Sequence, residues 1–237
     1  MAMDHRFEQA YGVGMSVALQ TSLFDAAGLD AAGLDAAAFD ARGPSLAPLA
    51  PLLRRTQLSP GAWIDVLPGW MSGSDELFTQ LVEHVPWYAE RREMYDRVVD
   101  VPRLLCFYAE GDQLPDPVLT QARSALDACY REELGEGFAT AGFCFYRDGR
   151  DSVAWHGDTI GRSRTQDTMV AILSLGAPRA LLLRPRGGGE TIRHQLGHGD
   201  LLVMGGSCQR TWEHAVPKTA RPVGPRISIQ FRTRGVR

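Results

Sequence analysis

The sequence predicts an α+β protein with a mainly β core, in which helices come first along the chain and a sandwich or jelly roll follows. From Phe138 onward, short runs rich in β-branched and aromatic residues recur between Gly, Pro and Asp, as in antiparallel β-proteins. Before that point, two segments carry apolar residues at helical spacing. The length of 237 residues, with 44% hydrophobic content, favours one large domain.

Eight β-rich runs make up the predicted core, and one further strand precedes the helices. That earlier strand is Ala62–Leu67, which is followed at once by Pro68-Gly69, a turn signal. The runs of the core cover residues 138–146, 152–158, 168–175, 179–184, 190–196, 200–204, 209–215 and 226–233.

Two helices are predicted between that strand and the core. The first opens at Ser74, which is followed by two acids and then by apolar residues at helical spacing. The second begins at Asp116, whose next residue is proline, a combination typical of an N-cap and first helical turn. It runs to about Leu134, which precedes a glycine.

The N-terminal segment is predicted to be a flexible, acidic leader. Residues 24–43 repeat a pentad of the type Phe-Asp-Ala-Ala-Gly, and a period of five never aligns its apolar positions on one helical face. Its glycines and few large apolar groups are typical of a flexible linker. We therefore divide the chain into a leader, residues 1–55, and a folded domain, residues 56–237, with the early strand and the helices over about 56–137 and the core over about 138–237.

Bulk properties argue against a membrane protein and against a disulfide-stabilised secreted one. No apolar run approaches the roughly 18 residues that span a bilayer, and the N-terminus lacks the blocks of a signal peptide. The four cysteines are widely spaced and form no CxxC pair, so reduced thiols are expected. These features predict a cytoplasmic protein with no membrane partner, and we expect a monomer.

Charge is unevenly distributed along the chain. Residues 1–50 have a balance of −4, whereas residues 156–237 hold thirteen Arg or Lys and five acids, a balance of +8. A basic C-terminal part is compatible with an anionic polymer as substrate; ordinary solvated arginines on strand faces are an equally good explanation. Lys218 is the single lysine, an arginine bias that points to a G+C-rich bacterial genome.

His156, Asp158 and His214 form a candidate metal site. Residues two apart on a strand point to the same face, so His156 and Asp158 can reach one metal together, and His214 must come from another strand. Two imidazoles and one carboxylate are the ligand set of non-haem Fe(II) oxygenases, which leaves positions open for a co-substrate and dioxygen.

The segment from Arg226 to Arg232 alternates strictly between polar and apolar residues. Its polar face, which includes Ser228 and Gln230, would be costly to bury unless a ligand satisfied it. Because arginine forms bidentate pairs with carboxylates, this strand could hold a dicarboxylic acid. HxD alone occurs by chance in many proteins, but its combination with a later His and this arginine pair is a specific signal.

These motifs, in this order and spacing, resemble the AlkB family of Fe(II)/2-oxoglutarate dioxygenases over residues 56 to 234. The resemblance implies a double-stranded β-helix, or jelly roll, with N-terminal elements that form a nucleotide-recognition lid. The matching segments are Phe145-Tyr-Arg-Asp-Gly149, His156-Gly-Asp158, Ser174-Leu-Gly176, His198-Gly-Asp-Leu-Leu-Val-Met-Gly205, Trp212-Glu-His-Ala-Val-Pro-Lys218 and Arg226 to Arg232.

The resemblance also implies roles for individual residues. His156, Asp158 and His214 would bind Fe(II). The co-substrate 2-oxoglutarate would pair with Arg226 through its distal carboxylate. Its chelating carboxylate would lie near Arg232, and Tyr146 would hydrogen-bond it. The implied reaction removes N-methyl groups from nucleobases as formaldehyde and releases succinate and carbon dioxide.

Three positions depart from the family pattern. Many members have asparagine where this chain has Cys144 and Ser228, and both asparagines belong to the co-substrate pocket. The family also has an acid near the flipped base where this chain has Ile160. The resemblance therefore implies altered hydrogen bonding to the co-substrate and a possible change of base selectivity.

The predicted lid strand, from Pro102 to Tyr108, supplies two candidates for substrate contacts. Arg103 is a candidate for contacting phosphate and Tyr108 for stacking on the base. An equally good alternative is that Tyr108 packs beneath the lid.

The leader contains Gln20-Thr-Ser-Leu-Phe24, which resembles the peptide by which bacterial repair proteins dock on the sliding clamp. Such peptides place a few anchors in a groove, and a flexible leader would present them well. In the alternative, Leu23 and Phe24 fold back onto the domain.

The sequence therefore predicts an Fe(II)/2-oxoglutarate dioxygenase that acts on alkylated DNA. One alternative keeps the chemistry but changes the substrate to RNA or a protein side chain. Another is a lesion-binding module that keeps the fold without turnover.

Overall fold

The structure is a computed structural model. It describes residues 43–58, 61–94, 97–159, 161 and 164–236. The predicted clamp peptide, Gln20 to Phe24, lies outside the described residues, and so does Ile160. In the part of the chain that is described, no helix is long and apolar enough to cross a membrane.

Fourteen strands and three helices are formed by the described residues. The strands are β1 (Ser45–Leu46), β2 (Arg54–Gln57), β3 (Ala62–Leu67), β4 (Met71–Ser72), β5 (Tyr88–Met94), β6 (Arg97–Tyr108), β7 (Phe138–Tyr146), β8 (Val153–His156), β9 (Val170–Gly176), β10 (Arg179–Pro185), β11 (Ile192–Leu196), β12 (Asp200–Gly206), β13 (Trp212–Val216) and β14 (Arg226–Thr233). The helices are α1 (Asp75–His84), α2 (Pro117–Leu134) and α3 (Cys208–Thr211).

Two antiparallel sheets build the core. The large sheet has eight strands in the order β2-β3-β12-β9-β14-β7-β6-β5, and the small sheet has four in the order β11-β10-β13-β8. The predicted mainly β jelly roll is therefore confirmed, but four strands of the large sheet, β2, β3, β5 and β6, come before Phe138, so the helices do not precede the whole β core. Two runs differ from their predictions. The run 152–158 ends as a strand at His156, so Asp158 lies in the turn that follows. Residues 209–211 belong to α3, because the amides of Arg210 and Thr211 both donate to the carbonyl of Ser207.

Alternation along the strands separates two apolar clusters. Ile227, Ile229 and Phe231 of β14 pack in one cluster with Leu119 and Leu126 of α2. This face of the large sheet is thus covered by helix. The polar residues of β14 consequently point the other way, toward the small sheet.

A second apolar cluster lies between the two sheets. It joins Ile172 and Leu202 of the large sheet to Leu181 and Leu183 of the small sheet. The space between the sheets is therefore partly filled by apolar packing and partly by the polar face of β14.

The capping signals read from the sequence have the expected geometry in α2. The Asp116 side chain accepts a hydrogen bond from the amide of Val118 at 2.8 Å, and Gly135 ends the helix with a positive φ of 77°. Ser74 precedes α1 but makes no side-chain cap. Its hydroxyl instead lies 2.6 Å from Nε2 of His198, which ties the helix start to the loop before β12.

Folded structure begins upstream of the predicted boundary at residue 56. Ser45–Leu46 pairs with β4, Leu49 is buried, and the carbonyl of Ala47 accepts a hydrogen bond from the indole of Trp70. The apolar residues after the pentad repeat thus join the core, so part of the predicted leader, residues 1–55, belongs to the folded domain.

Candidate functional site

The three predicted metal ligands meet at the small sheet. His156 ends β8 and is the register partner of His214 on β13, and Asp158 follows two residues later. Their nitrogen and oxygen ligand atoms all lie within 4.8 Å of one another. Among the described residues, this is the one such group of three or more His, Cys, Asp or Glu side chains.

Hydrogen bonds orient two of these side chains. Nδ1 of His156 lies 2.9 Å from the carbonyl oxygen of Ala154, so Nδ1 carries the proton and Nε2 is left as a lone-pair donor for a metal. Nε2 lies 3.6 Å from Oδ1 of Asp158. The other carboxylate oxygen, Oδ2, accepts a hydrogen bond of 2.6 Å from Nε of Arg232.

Burial and neighbouring charges set the protonation of this group. Burial alone would raise the pKa of the Asp158 carboxyl, but neighbouring positive charge, that of Arg232 foremost, outweighs it and holds that pKa well below its usual range. Burial, together with His156, lowers the pKa of His214 to about 3. An ionised Asp158 carboxylate beside a neutral His214 imidazole is the state in which these two side chains ligate a divalent metal.

Arg226, the first arginine of β14, is almost completely buried. Its Nε donates to the Ser174 hydroxyl at 2.9 Å, and its guanidinium lies 5.3 Å from the ring centre of Tyr146. Nη1 is buried without a hydrogen-bond partner. A buried donor left unpaired is costly, so this nitrogen fits a site for the carboxylate of a ligand.

Arg226, Tyr146, His156 and His214 line one space between the sheets, here called the inner cavity, of about 60 Å³. Burial raises the pKa of Tyr146 to about 12, which keeps the phenol protonated and able to donate a hydrogen bond. The structure thus brings the two predicted imidazole ligands and Arg226 to the same cavity.

Cys144 and Ser228, which stand where many family members have asparagine, both line the inner cavity. Gln230 Nε2 donates to the Ser228 hydroxyl at 2.6 Å, and the Cys144 thiol lies 3.7 Å from Gln230 Oε1. Gln230 therefore links the two substituted positions into one polar chain. The alternation of β14 pointed to this residue, although no role was assigned to it.

Arg103, the candidate for a phosphate contact, is half-buried beside the inner cavity. Its side chain turns inward, donates to the carbonyl of Ser152 at 3.1 Å and lines the inner cavity beside Cys144 and Tyr146. Its Nε is buried without a partner. Alternation along β6 turns Arg103 toward the space between the sheets, and its predicted contact with a substrate phosphate stays a prediction.

A second, wider space adjoins the inner cavity and is here called the outer groove. It has a volume of about 390 Å³ and shares Arg103, Cys144, Gln230 and Arg232 with the inner cavity. The shared residues form a common wall between the two spaces. A planar group in the groove would therefore lie next to the candidate metal site.

Tyr108, the predicted stacking residue, is not among the residues that line the outer groove. Tyr108 is half-buried and packs against Phe143 of the core, with ring centres 5.1 Å apart, as the alternative interpretation held. Phe107 and Tyr88, respectively 39% and 47% exposed, line the groove instead. Phe107 shares its face of β6 with Arg103, and Tyr108 lies on the opposite face.

Comparisons with known proteins agree with this geometry. Residues 65–232 match the 2OG-Fe(II) oxygenase superfamily. Alpha-ketoglutarate-dependent dioxygenase alkB homolog 3 of Homo sapiens is 31% identical over 208 residues, which cover 80% of this chain and 68% of that protein. The Bos taurus protein of the same name is 32% identical over 194 residues, 70% of this chain and 64% of that protein.

More distant similarities extend the comparison. DNA oxidative demethylase ALKBH2 of Arabidopsis thaliana is 27% identical over 195 residues, 65% of this chain and 60% of that protein. The chain thus spans a little under two thirds of the length of several relatives, 64% for the bovine one.

Two solved structures share the fold. The structure of OsALKBH1 has a TM-score of 0.51 at 17% identity and covers 75% of this chain and 100% of that chain. A prolyl hydroxylase in complex with a hypoxia inducible factor peptide, from Trichoplax adhaerens, has a TM-score of 0.52 at 14% identity, with 71% and 83% covered.

Proposed function

Because the chain belongs to the 2OG-Fe(II) oxygenase superfamily, and within it to the AlkB family, we propose that it removes N-alkyl groups from bases in DNA with Fe(II) and 2-oxoglutarate. His156, Asp158 and His214 would hold Fe(II). Arg226 would bind the distal carboxylate of 2-oxoglutarate beside Tyr146, and Arg232 would lie near the chelating one.

The observation that carries this proposal is the unpaired Nη1 of Arg226 in a cavity that also contains the two imidazoles. A buried guanidinium nitrogen without an acceptor favours an anionic ligand. The donor set of two imidazoles and one carboxylate suits Fe(II) with open positions. Together these features fit a carboxylate co-substrate that reaches the metal from the Arg226 side.

Fe(II) and 2-oxoglutarate would supply the activation of dioxygen: one oxygen atom enters succinate as carbon dioxide is lost, and the other hydroxylates the N-methyl group, which leaves as formaldehyde. The residues of this chain would orient the reactants. The apolar packing between the sheets would limit the access of water to the inner cavity, and Tyr146 would donate a hydrogen bond from its phenol to the co-substrate.

The outer groove supports a nucleobase as substrate. Phe107 and Tyr88 offer exposed aromatic faces on which a base can stack, and the groove adjoins the candidate metal site. An alkylated base pairs poorly, so its extrusion into such a groove costs less than that of a normal base. The ALKBH2 relatives bear the name DNA oxidative demethylase, which favours DNA over other polymers.

The test is formaldehyde and succinate release with Fe(II) and 2-oxoglutarate on singly methylated DNA, on RNA of the same sequence and on methylated peptides. We expect release from DNA and loss of both products in His156→Ala. Turnover on peptides alone would overturn the nucleic-acid assignment. Wild-type protein that releases no more succinate than His156→Ala on any substrate would favour a binding module of the same fold.

We also infer that the leader docks on the sliding clamp through Gln20 to Phe24. The support is the sequence of the peptide, which places Leu23 and Phe24 as apolar anchors. The double variant Leu23→Ala, Phe24→Ala should lose co-elution with the clamp while demethylation of free oligonucleotides stays intact. Co-elution that survives in this variant would contradict the docking proposal.

A cytoplasmic location and a monomeric state complete the proposal. All four cysteines are free thiols, as expected in a reducing compartment. Light scattering of the purified chain should give a mass near 26.0 kDa. A mass of twice that value would contradict the monomer.

A further inference from the structure

Gln209 joins the two segments that carry the candidate metal ligands. It belongs to α3, which continues directly into β13 and so to His214, and its side chain reaches the turn that carries Asp158. We propose that Gln209 is a positioning residue for the metal, which holds the Asp158 main chain so that the carboxylate faces the two imidazoles. This inference rests on the proposed function.

The key contact is a hydrogen bond between main chain and side chain. The amide of Asp158 donates to Oε1 of Gln209 at 2.9 Å, and Gln209 is only 1% exposed. On its other side, the Asp158 carboxylate accepts from Arg232. Asp158 is therefore held at both its backbone and its carboxylate, which leaves little freedom for the direction of its ligand oxygen.

The partners on the two sides of the Gln209 amide decide which way the amide group points. Nε2 lies 3.7 Å from the sulfur of Met204, a weak acceptor. If the amide were turned over, Nε2 would face the Asp158 amide, donor against donor. A buried polar side chain is costly without strong partners, so the bond to Asp158 is what accounts for glutamine at this place.

Close packing at Gly157 makes the ligand turn and α3 one unit. A Cβ at Gly157 would lie 2.5 Å from the carbonyl oxygen of Gln209 and 3.2 Å from that of Trp212. Because both are backbone atoms, no side-chain rotation could relieve the contact. The glycine of the HxD motif thus lets the turn dock directly on α3.

Arg186 forms two hydrogen bonds to the end of α3. Its Nε donates to the carbonyl of Arg210 at 3.1 Å, and its own amide donates to the carbonyl of Thr211 at 2.7 Å. The end of α3 is thereby tied to β10. The helix can then act as a rigid base from which Gln209 holds Asp158 and from which β13 carries His214.

The test replaces Gln209 with methionine, which keeps the length and the apolar packing but removes the acceptor. Metal-free full-length protein is titrated with Co(II) alone, and the ligand-field absorption band gives the dissociation constant and the coordination geometry. Because loss of an outer hydrogen bond to a metal ligand typically weakens metal affinity about 10- to 100-fold, we expect a shift of that size and an altered band for Gln209→Met.

Thr211→Val is the matched control. It removes the hydrogen bond from the Thr211 hydroxyl to the Ser207 carbonyl, 2.9 Å, within the same helix but away from Asp158. Its Co(II) affinity and spectrum should equal those of wild type. Equal weakening in both variants would overturn the assignment, because general loosening of α3 would then account for it.

Two further outcomes separate this inference from the proposed function. If wild type and Gln209→Met bind Co(II) equally well with the same spectrum, the role of Gln209 is overturned while the metal site stands. If wild type itself binds no Co(II), the metal site of the proposed function is overturned, and the role of Gln209 with it.

Discussion

The guanidinium of Arg232 crosses directly over Gly142, so that a Cβ at Gly142 would lie 2.5 Å from Nη1 of Arg232. The two residues lie on neighbouring strands, β14 and β7. From this place Arg232 reaches Asp158 and donates through Nε at 2.6 Å. The absence of a side chain at residue 142 is therefore what lets Arg232 lie flat and reach a candidate metal ligand.

We predict that Gly142→Ala lowers turnover about 10- to 100-fold, the usual effect of disturbing an outer partner of a metal ligand. The fold should survive, because the displaced atom is the end of a flexible side chain. The measurements are succinate release under saturating 2-oxoglutarate and the thermal unfolding midpoint. Gly224→Ala is the control, since its Cβ would meet only the Cβ of Ala177 at 3.5 Å. Wild-type turnover in Gly142→Ala would show that Arg232 is not needed at Asp158.

Arg226→Lys should raise the Michaelis constant for 2-oxoglutarate about 10- to 100-fold. The variant keeps the positive charge but loses the planar fork that bonds Ser174 and leaves Nη1 for a carboxylate. A hydrogen bond to a charged group contributes about 1.5–3 kcal/mol, which corresponds to that change. The measurement is the initial rate of succinate release against 2-oxoglutarate concentration. Arg193→Lys, at an exposed site on β11, is the control, and equal constants in the two variants would contradict the role of Arg226.

Phe107→Ala should weaken DNA binding, whereas Tyr108→Ala should lower the stability of the fold. Loss of Phe107 removes a stacking face, which is worth about 1–3 kcal/mol per base, so affinity for methylated single-stranded DNA should fall while stability changes little. Loss of Tyr108, which packs on Phe143, should reduce the free energy of unfolding by about 2–3 kcal/mol. Fluorescence anisotropy and denaturant unfolding give the two quantities. Weaker DNA binding in Tyr108→Ala at unchanged stability would reverse the assignment.

Phe107 and Tyr108 also show what the sequence pattern predicts and what it does not. The position of β6 was predicted, but which face of the strand meets the groove depends on its register with β7, where Phe107 pairs with Gly142. A one-residue difference in parity moves every side chain to the other face. In β14, by contrast, strict alternation made the polar face evident, and Arg226, Ser228, Gln230 and Arg232 all lie on it.

The residues that the sequence pattern could not assign act through contacts between distant segments. Gln209 meets Asp158 across 51 positions, and nothing in the local pattern distinguishes it from a surface glutamine. The cap of α2 was predictable because Asp116 bonds to an amide two residues away. Contacts between residues close in sequence could therefore be predicted, whereas the residues that hold the metal ligands in place could be identified only from the tertiary structure.

The ion pair between Arg147 and Asp151 should make stability depend on pH in a defined range. Asp151 is buried, and burial alone would raise its pKa. However, Arg147 donates to its carboxylate from both backbone and side chain at 2.8 Å, and the pKa is held below its usual value. When the pKa of a carboxyl is lower in the folded than in the unfolded protein, its ionised form stabilises the fold. This stabilisation is complete at pH values above the unfolded pKa of about 4. That contribution is lost as the pH falls through the folded pKa.

Asp151→Asn removes the charge while keeping an oxygen that can accept the Arg147 amide. We expect a lower thermal unfolding midpoint than wild type at pH 7 and pH 5, with a difference that shrinks below about pH 4. Glu190→Gln, at an exposed site, should follow the wild-type curve throughout. A difference between wild type and Asp151→Asn that stays constant from pH 7 to pH 3 would contradict the electrostatic origin, because a purely steric effect of the substitution does not titrate.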